Sequence, residues 1–185
     1  MSKGKTRKIM RVAALTDMKN IMIHEKFMLL AFEQARQAVE AGNEPFGAIL
    51  VKDGEVVALG QNKINTENDP TYHAETGLIR DYCHQTGITD LSEYTMYTSC
   101  EPCVMCAGCM IWSNLGRMIY GISVKQLFDM LEEGASEVFS QEDDRGISMP
   151  CSEIFSRSSN KIIVIGGVLE EEGIELYRSY ISNSK

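Results

Sequence analysis

No stretch of the sequence reaches about 18 consecutive apolar residues, the run that a membrane-spanning helix needs. Basic charge is scarce: 18 Lys and Arg stand against 26 Asp and Glu, giving a formal −8. A surface of that sign repels phosphate backbones, so nucleic acid is an unlikely general partner. Cysteine is too sparse for a disulfide scaffold, with six in 185 residues. There is no internal repeat and no low-complexity tract. The N-terminal segment lacks the apolar core and small-residue cleavage site of a secretory signal. It holds Lys3, Lys5, Arg7, Lys8 and Arg11 and no acid before Asp17. These features lead to the expectation of a basic, poorly ordered tail over 1–20, one domain over 21–185, and a reducing, cytoplasmic setting. Without the first eleven residues the formal charge falls from −8 to −13. What is present is an ordinary globular mixture, 44% apolar and 24% charged, in a chain long enough to bury its own core.

The pattern along the chain alternates. From Glu25 to Ala41, apolar residues at Phe27, Leu30, Ala31, Ala35, Ala38 and Val39 follow a helical spacing that Gly42 can stop. Phe46–Val51 and Glu55–Leu59 flank Asp53-Gly54, a pair suited to the positive φ angles of a tight hairpin turn. Gln61–Tyr72 is polar and reads as a loop. Helices are expected over His73–His84, Cys103–Ser113, Val124–Glu133 and Leu169–Ile181. Strands are expected over Tyr94–Thr98, Arg117–Ile122 and Lys161–Val168. Gly134–Asn160 reads as irregular, a candidate rim or lid for a pocket. Strands alternating with helices imply an α/β fold with a sheet covered on both faces.

Four cysteines fall within ten residues: Cys100, Cys103, Cys106 and Cys109. Cys103 and Cys106 lie three apart on one expected helix, so both sulfurs can face one ion. His73 opens another expected helix and can supply a nitrogen. Zinc accepts this donor set, and three protein ligands leave a fourth position for water. Glu75, two residues from His73, is poorly placed to bind the same ion but can lie beside that water as general acid and base. The rival is an iron–sulfur cluster on the wider cysteine run. Its last gap is one residue short of the usual spacing, and no proline follows Cys109. Cys100 and Cys109 therefore read as bystanders, Cys109 as a small core residue.

His73-Ala74-Glu75 together with Pro102-Cys103-Val104-Met105-Cys106 resembles the zinc-dependent nucleobase deaminases of the cytidine-deaminase-like superfamily. Pro45-Phe46-Gly47-Ala48, Gly60-Gln61-Asn62, Asp69-Pro70 and Thr98-Ser99-Cys100-Glu101 extend the resemblance over about Phe27 to Ile122. It implies a three-layer α/β/α fold around a mixed five-stranded sheet. It also implies one zinc per chain on His73, Cys103 and Cys106, with Glu75 as proton shuttle. A homodimer and a small nucleobase as substrate, with water, belong to the same expectation. Asn62 matches the Asn that hydrogen-bonds the substrate ring, although a turn residue after a strand would read the same way. Ala74, between ligand and shuttle, is a further candidate substrate contact.

Two branches of the superfamily compete. Cys103-Val104-Met105-Cys106-Ala107-Gly108 is similar to tRNA adenosine deaminases, whereas Trp112 and Thr98-Ser99-Cys100-Glu101-Pro102-Cys103 match short guanine deaminases. Trp112 could wall a flat base pocket or anchor the core. Guanine deaminases of this type hold the base with a late acidic side chain, for which Glu132 and Glu133 are candidates; a solvated helix end is the alternative. Guanine is the leading expectation. Cytosine, another aminopurine, an aminotriazine and tRNA adenosine follow.

Overall fold

The computed structural model describes the backbone of residues 3–134, 147, 149–150 and 151–183, and side chains from residue 21 onward except 133 within those bounds. The described elements run in the order α1 (Lys3–Glu40), β1 (Gly47–Lys52), β2 (Glu55–Gln61), α2 (Ile64–Glu67), α3 (Ala74–Thr86) and β3 (Thr95–Cys100). There follow α4 (Val104–Trp112), β4 (Arg117–Ile122), α5 (Val124–Gly134), α6 (Cys151–Ser156), β5 (Ile163–Ile165) and α7 (Glu170–Asn183). Five strands form one mixed sheet in the order β2-β1-β3-β4-β5. The β1–β2 and β1–β3 pairs are antiparallel, while β3–β4 and β4–β5 are parallel. The expected mixed five-stranded α/β sheet is the one found.

Alternating side chains on the strands divide the core between two faces. Ala48, Leu50, Met96 and Met118 pack with Ala74, Leu78, Ala107, Met110 and Phe155 from α3, α4 and α6. Ile49, Val51, Tyr97 and Ile119 face the other way, against Phe27, Met28, Ala31 and Phe32 of α1. Leu127 and Met130 of α5 and Tyr177 and Ile181 of α7 close the end near Cys100 and Ile122. The result is three layers, α/β/α.

The hairpin turns where expected, with positive φ at both Asp53 (51°) and Gly54 (79°). Gly60, on β2, decides how α3 sits. A Cβ there would lie 2.5 Å from the Ala74 carbonyl oxygen, so its absence allows the start of α3 to press onto the sheet edge.

Several local expectations need correction. Gln61–Tyr72 contains the short helix α2, because the Asn43 side-chain oxygen accepts the N–H groups of Asn65 and Thr66, both at 3.1 Å. Within Gly134–Asn160 the chain forms α6, whose first N–H, from Cys151, is held at 2.9 Å by Glu101. The reading of 134–160 as a rim or lid falls partly on 135–146 and 148, which lie outside the described residues. The last strand is only Ile163–Ile165, since the backbone turns at Gly167 and Leu169, both with positive φ. The helix read over Glu25–Ala41 is the later part of α1. His73 and Cys103 stand just outside their helices as N-caps.

Candidate active site

The site lies where β3 ends, between an antiparallel neighbour and a parallel one. Such a change of direction opens a crevice at the strand's carboxyl end. The loop leading into α3 is pinned by its own polar residues. Asp69 accepts the Thr71 N–H at 2.8 Å and the Thr71 hydroxyl at 2.7 Å. The Tyr72 hydroxyl donates to Asp81 at 2.5 Å, and the Tyr72 ring fills the space left by the missing side chain of Gly77. His73 is thereby delivered in extended conformation at the head of α3. Glu101-Pro102 delivers Cys103 in the same way at the head of α4. Two helix N-termini converge, and their N–H groups favour thiolate and other anions between them.

The nitrogen of His73 and the sulfurs of Cys103 and Cys106 all lie within 4.8 Å of one another, a group able to hold a metal ion. His73 Nδ1 and Cys103 Sγ are 3.6 Å apart. Zinc bonds of about 2.3 Å to sulfur and about 2.0–2.1 Å to nitrogen, set tetrahedrally, make that edge about 3.6 Å. The donors and their spacing therefore fit zinc. Cys100 and Cys109 lie outside the group: Cys100 is buried toward α5 and α7, and Cys109 packs half-buried on the α3/α4 side.

Glu75 is buried on the first turn of α3. Its Oε2 lies 3.5 Å from Cys106 Sγ, while its Oε1 meets the Thr98 hydroxyl at 3.1 Å. Burial pushes the Glu75 carboxyl above the usual carboxylate range, and the neighbouring Cys103 charge pushes the same way. Cys103 itself is brought down to about 4, first by the hydrogen bond from the Cys106 thiol and then by His73. Cys106 is raised by that same bond and by burial. Burial alone would lower His73, but its bond to Cys103 and the charges of Glu75, Cys103 and Glu44 outweigh it, so it rises.

Residues 21–122 match the family described as the cytidine and deoxycytidylate deaminase zinc-binding region. The chain belongs to that deaminase family. Guanine deaminase of Bacillus subtilis is 46% identical over 100 residues, 54% of this chain and 64% of that protein. The chain thus aligns with just under two thirds of that relative's length. A probable cytosine deaminase of Schizosaccharomyces pombe is 31% identical over 153 residues, 81% of this chain and 87% of that protein. A solved structure of tRNA:A34 deaminases, studied for A-to-I editing at the wobble position, superposes with a TM-score of 0.65 at 31% identity. It covers 82% of this chain and 98% of that one.

Within this deaminase fold, the structure brings His73, Cys103, Cys106 and Glu75 together. Asn62 is fully buried at the end of β2; its amide donates to Glu44 at 3.3 Å and its oxygen accepts the Ile64 N–H at 3.1 Å. These two contacts hold its carboxamide in one orientation. Ala74 is buried between His73 and Glu75, on the turn whose N–H groups lack intrahelical acceptors. Trp112 is not brought to the group. It ends α4, eight residues beyond its first residue, and is 91% exposed. It is neither a pocket wall nor a core anchor within one chain. Glu132 is exposed late on α5, and the side chain of Glu133 lies outside the described residues.

Four residues here were not singled out from the sequence. Thr98 touches Glu75, and the Thr76 hydroxyl donates to Cys106 Sγ at 3.2 Å. Glu44 accepts from Asn62 and acts on the charge of His73. Glu101 takes the first N–H of α5 at 3.1 Å and that of α6 at 2.9 Å. Thr76 alone carried a local signal, one helical turn from His73; the others act across the fold.

Proposed function

We propose that this chain is a zinc-dependent aminohydrolase acting on a small nucleobase-like heterocycle, with guanine as the leading substrate. The observation that carries the reading is the placement of a buried carboxyl, Glu75, against a His/Cys/Cys group that fits zinc. The similarity to a guanine deaminase over 54% of the chain favours guanine, and a formal −8 weighs against tRNA.

In this reading His73, Cys103 and Cys106 hold one zinc ion. When bound, the ion polarises a water and lowers its pKa toward about 7. Glu75 takes a proton from that water and passes it to the ring nitrogen beside the amino-bearing carbon. The water oxygen bonds to that carbon, its remaining proton moves through Glu75 to the amine, and the C–N bond breaks, releasing ammonia and leaving a carbonyl. A carboxyl raised by burial is suited to accept and release in turn. The Asn62 carboxamide and the first N–H groups of α3 orient the ring. A homodimer would cover the apolar side of α4 that ends in Trp112. A reducing cytoplasm would keep the six cysteines as the free thiols observed. Glu132 and Glu133 are proposed as base contacts only in an assembly or closed form that carries them to the pocket.

The similarity to tRNA:A34 deaminases, which spans 98% of that chain, supports tRNA adenosine as a second reading. Ammonia release is the test, measured across guanine, cytosine, adenine, isocytosine, ammeline and a tRNA anticodon hairpin. Release from guanine is the expected result. Release from the hairpin alone replaces guanine with the second reading, and release from none rejects both.

A further inference from the structure

We infer that Thr98 is a positioning residue for Glu75, its buried hydroxyl holding one carboxyl oxygen so that the other stays turned toward the metal-ligand group. This rests on the reading of Glu75 as proton shuttle. Thr98 is 1% exposed on β3, and its Oγ1 lies 3.1 Å from Glu75 Oε1. The same Oγ1 lies 3.1 Å from the carbonyl oxygen of Cys100, three residues before the ligand Cys103. The hydroxyl thus joins the shuttle on α3 to the strand end that leads into the metal loop.

The terminal torsion of a glutamate is broad, so packing alone leaves the carboxyl plane loosely set. Two side-chain contacts bear on it here, Thr98 on Oε1 and Cys106 Sγ on Oε2, beside a bond to the backbone N–H of Glu75 itself. Cys106 is a metal ligand in the proposed enzyme and its sulfur has that other task. The lasting side-chain anchor from another element is therefore Thr98. A hydroxyl also suits a carboxyl that gains and loses a proton, because it can both donate and accept. It donates to an ionised Glu75. It accepts from a protonated one while turning its own hydrogen to the Cys100 carbonyl. The carboxyl stays in place through the cycle, as a shuttle between water and base requires.

The test compares wild type, T98V and T98S, all loaded with zinc. Valine keeps the shape of threonine without its hydroxyl, and serine restores the hydroxyl. T98V should retain its zinc and a KM within about 3-fold, while kcat falls about 10- to 100-fold, the scale of one lost hydrogen bond to a charged group. T98S should return kcat to within about 3-fold of wild type. An unchanged kcat in T98V overturns the inference, as does a T98S protein no faster than T98V. Loss of zinc along with activity in T98V also overturns it, since the residue would then be structural. If wild type turns over no base, the functional reading fails separately. Crystal structures of zinc-loaded wild type and T98V then decide, and an unmoved Glu75 carboxyl in T98V overturns the positioning role.

Discussion

Glu75 is the proposed proton shuttle because three features meet at one side chain. It is buried, it lies next to both the His73 and Cys106 positions, and it is not one of the grouped ligands. Replacing it with glutamine keeps the size and removes the proton-accepting oxygen. The expected outcome for E75Q is a loss of turnover of about 10²- to 10⁴-fold, the range for a positioned acid–base group. Bound zinc should remain unchanged when measured by elemental analysis. Retained turnover would take Glu75 out of the mechanism, and lost zinc would make it part of the metal site. At this scale the sequence was informative where partners are close along the chain. His73 and Glu75 are two apart, and Cys103 and Cys106 three apart, so local spacing and the family resemblance together suggested their roles. Thr98 was not legible, because its contact with Glu75 spans 23 residues and exists only once β3 lies under α3. Trp112 stands apart from the group for the opposite reason. Its neighbourhood was suggestive, but the far end of a helix is a different place from its beginning.

The elements around the site are held by their termini as much as by their packing. Ser123 and Gln126 form a reciprocal cap at the head of α5, with Ser123 N–H donating to the Gln126 side chain at 2.8 Å and Gln126 N–H returning to Ser123 Oγ at 3.2 Å. Glu101 adds a longer-range device. Its buried carboxylate receives the leading N–H of α5 on one oxygen and that of α6 on the other, and its negative charge sits at the positive ends of both helices. The residue lies directly before Pro102-Cys103, so it also ties those helices to the metal loop. E101Q should be destabilised by about 2–4 kcal/mol. One acceptor becomes an NH2 facing an N–H, and the other loses its charge. Urea denaturation with an unchanged m-value checks this; a midpoint equal to wild type would show that the lost acceptor and charge carry no net stability. The strands and most helices were readable from periodicity and from turn pairs such as Asp53-Gly54. α2 and α6 were not, because each is made by a side chain from elsewhere, Asn43 for the first and Glu101 for the second.

For the whole molecule, the candidate metal-ligand group joins the heads of α3 and α4, which share one layer with α6 on the same face of the sheet. Metal binding there competes with protons, because the ligands must bind as thiolate and neutral imidazole. The sign follows from the three directions in the metal-free chain. Cys103 is already lowered to about 4 and has no proton to release near pH 6. His73 and Cys106 are both raised, so each is protonated there and must give its proton up. Zinc affinity should therefore rise with pH and weaken in acid, with about two protons released per ion at pH 6. Calorimetric zinc titrations in two buffers of different ionisation enthalpy measure that number. Wild type is titrated beside E75Q, because the substitution removes the proton of the raised Glu75 carboxyl but also part of what raises His73 and Cys106. A release near three would mean that both Cys103 and Cys106 keep their protons without the metal. A release near zero would mean that these side chains do not hold the ion, and would remove the metal centre on which the deaminase chemistry depends.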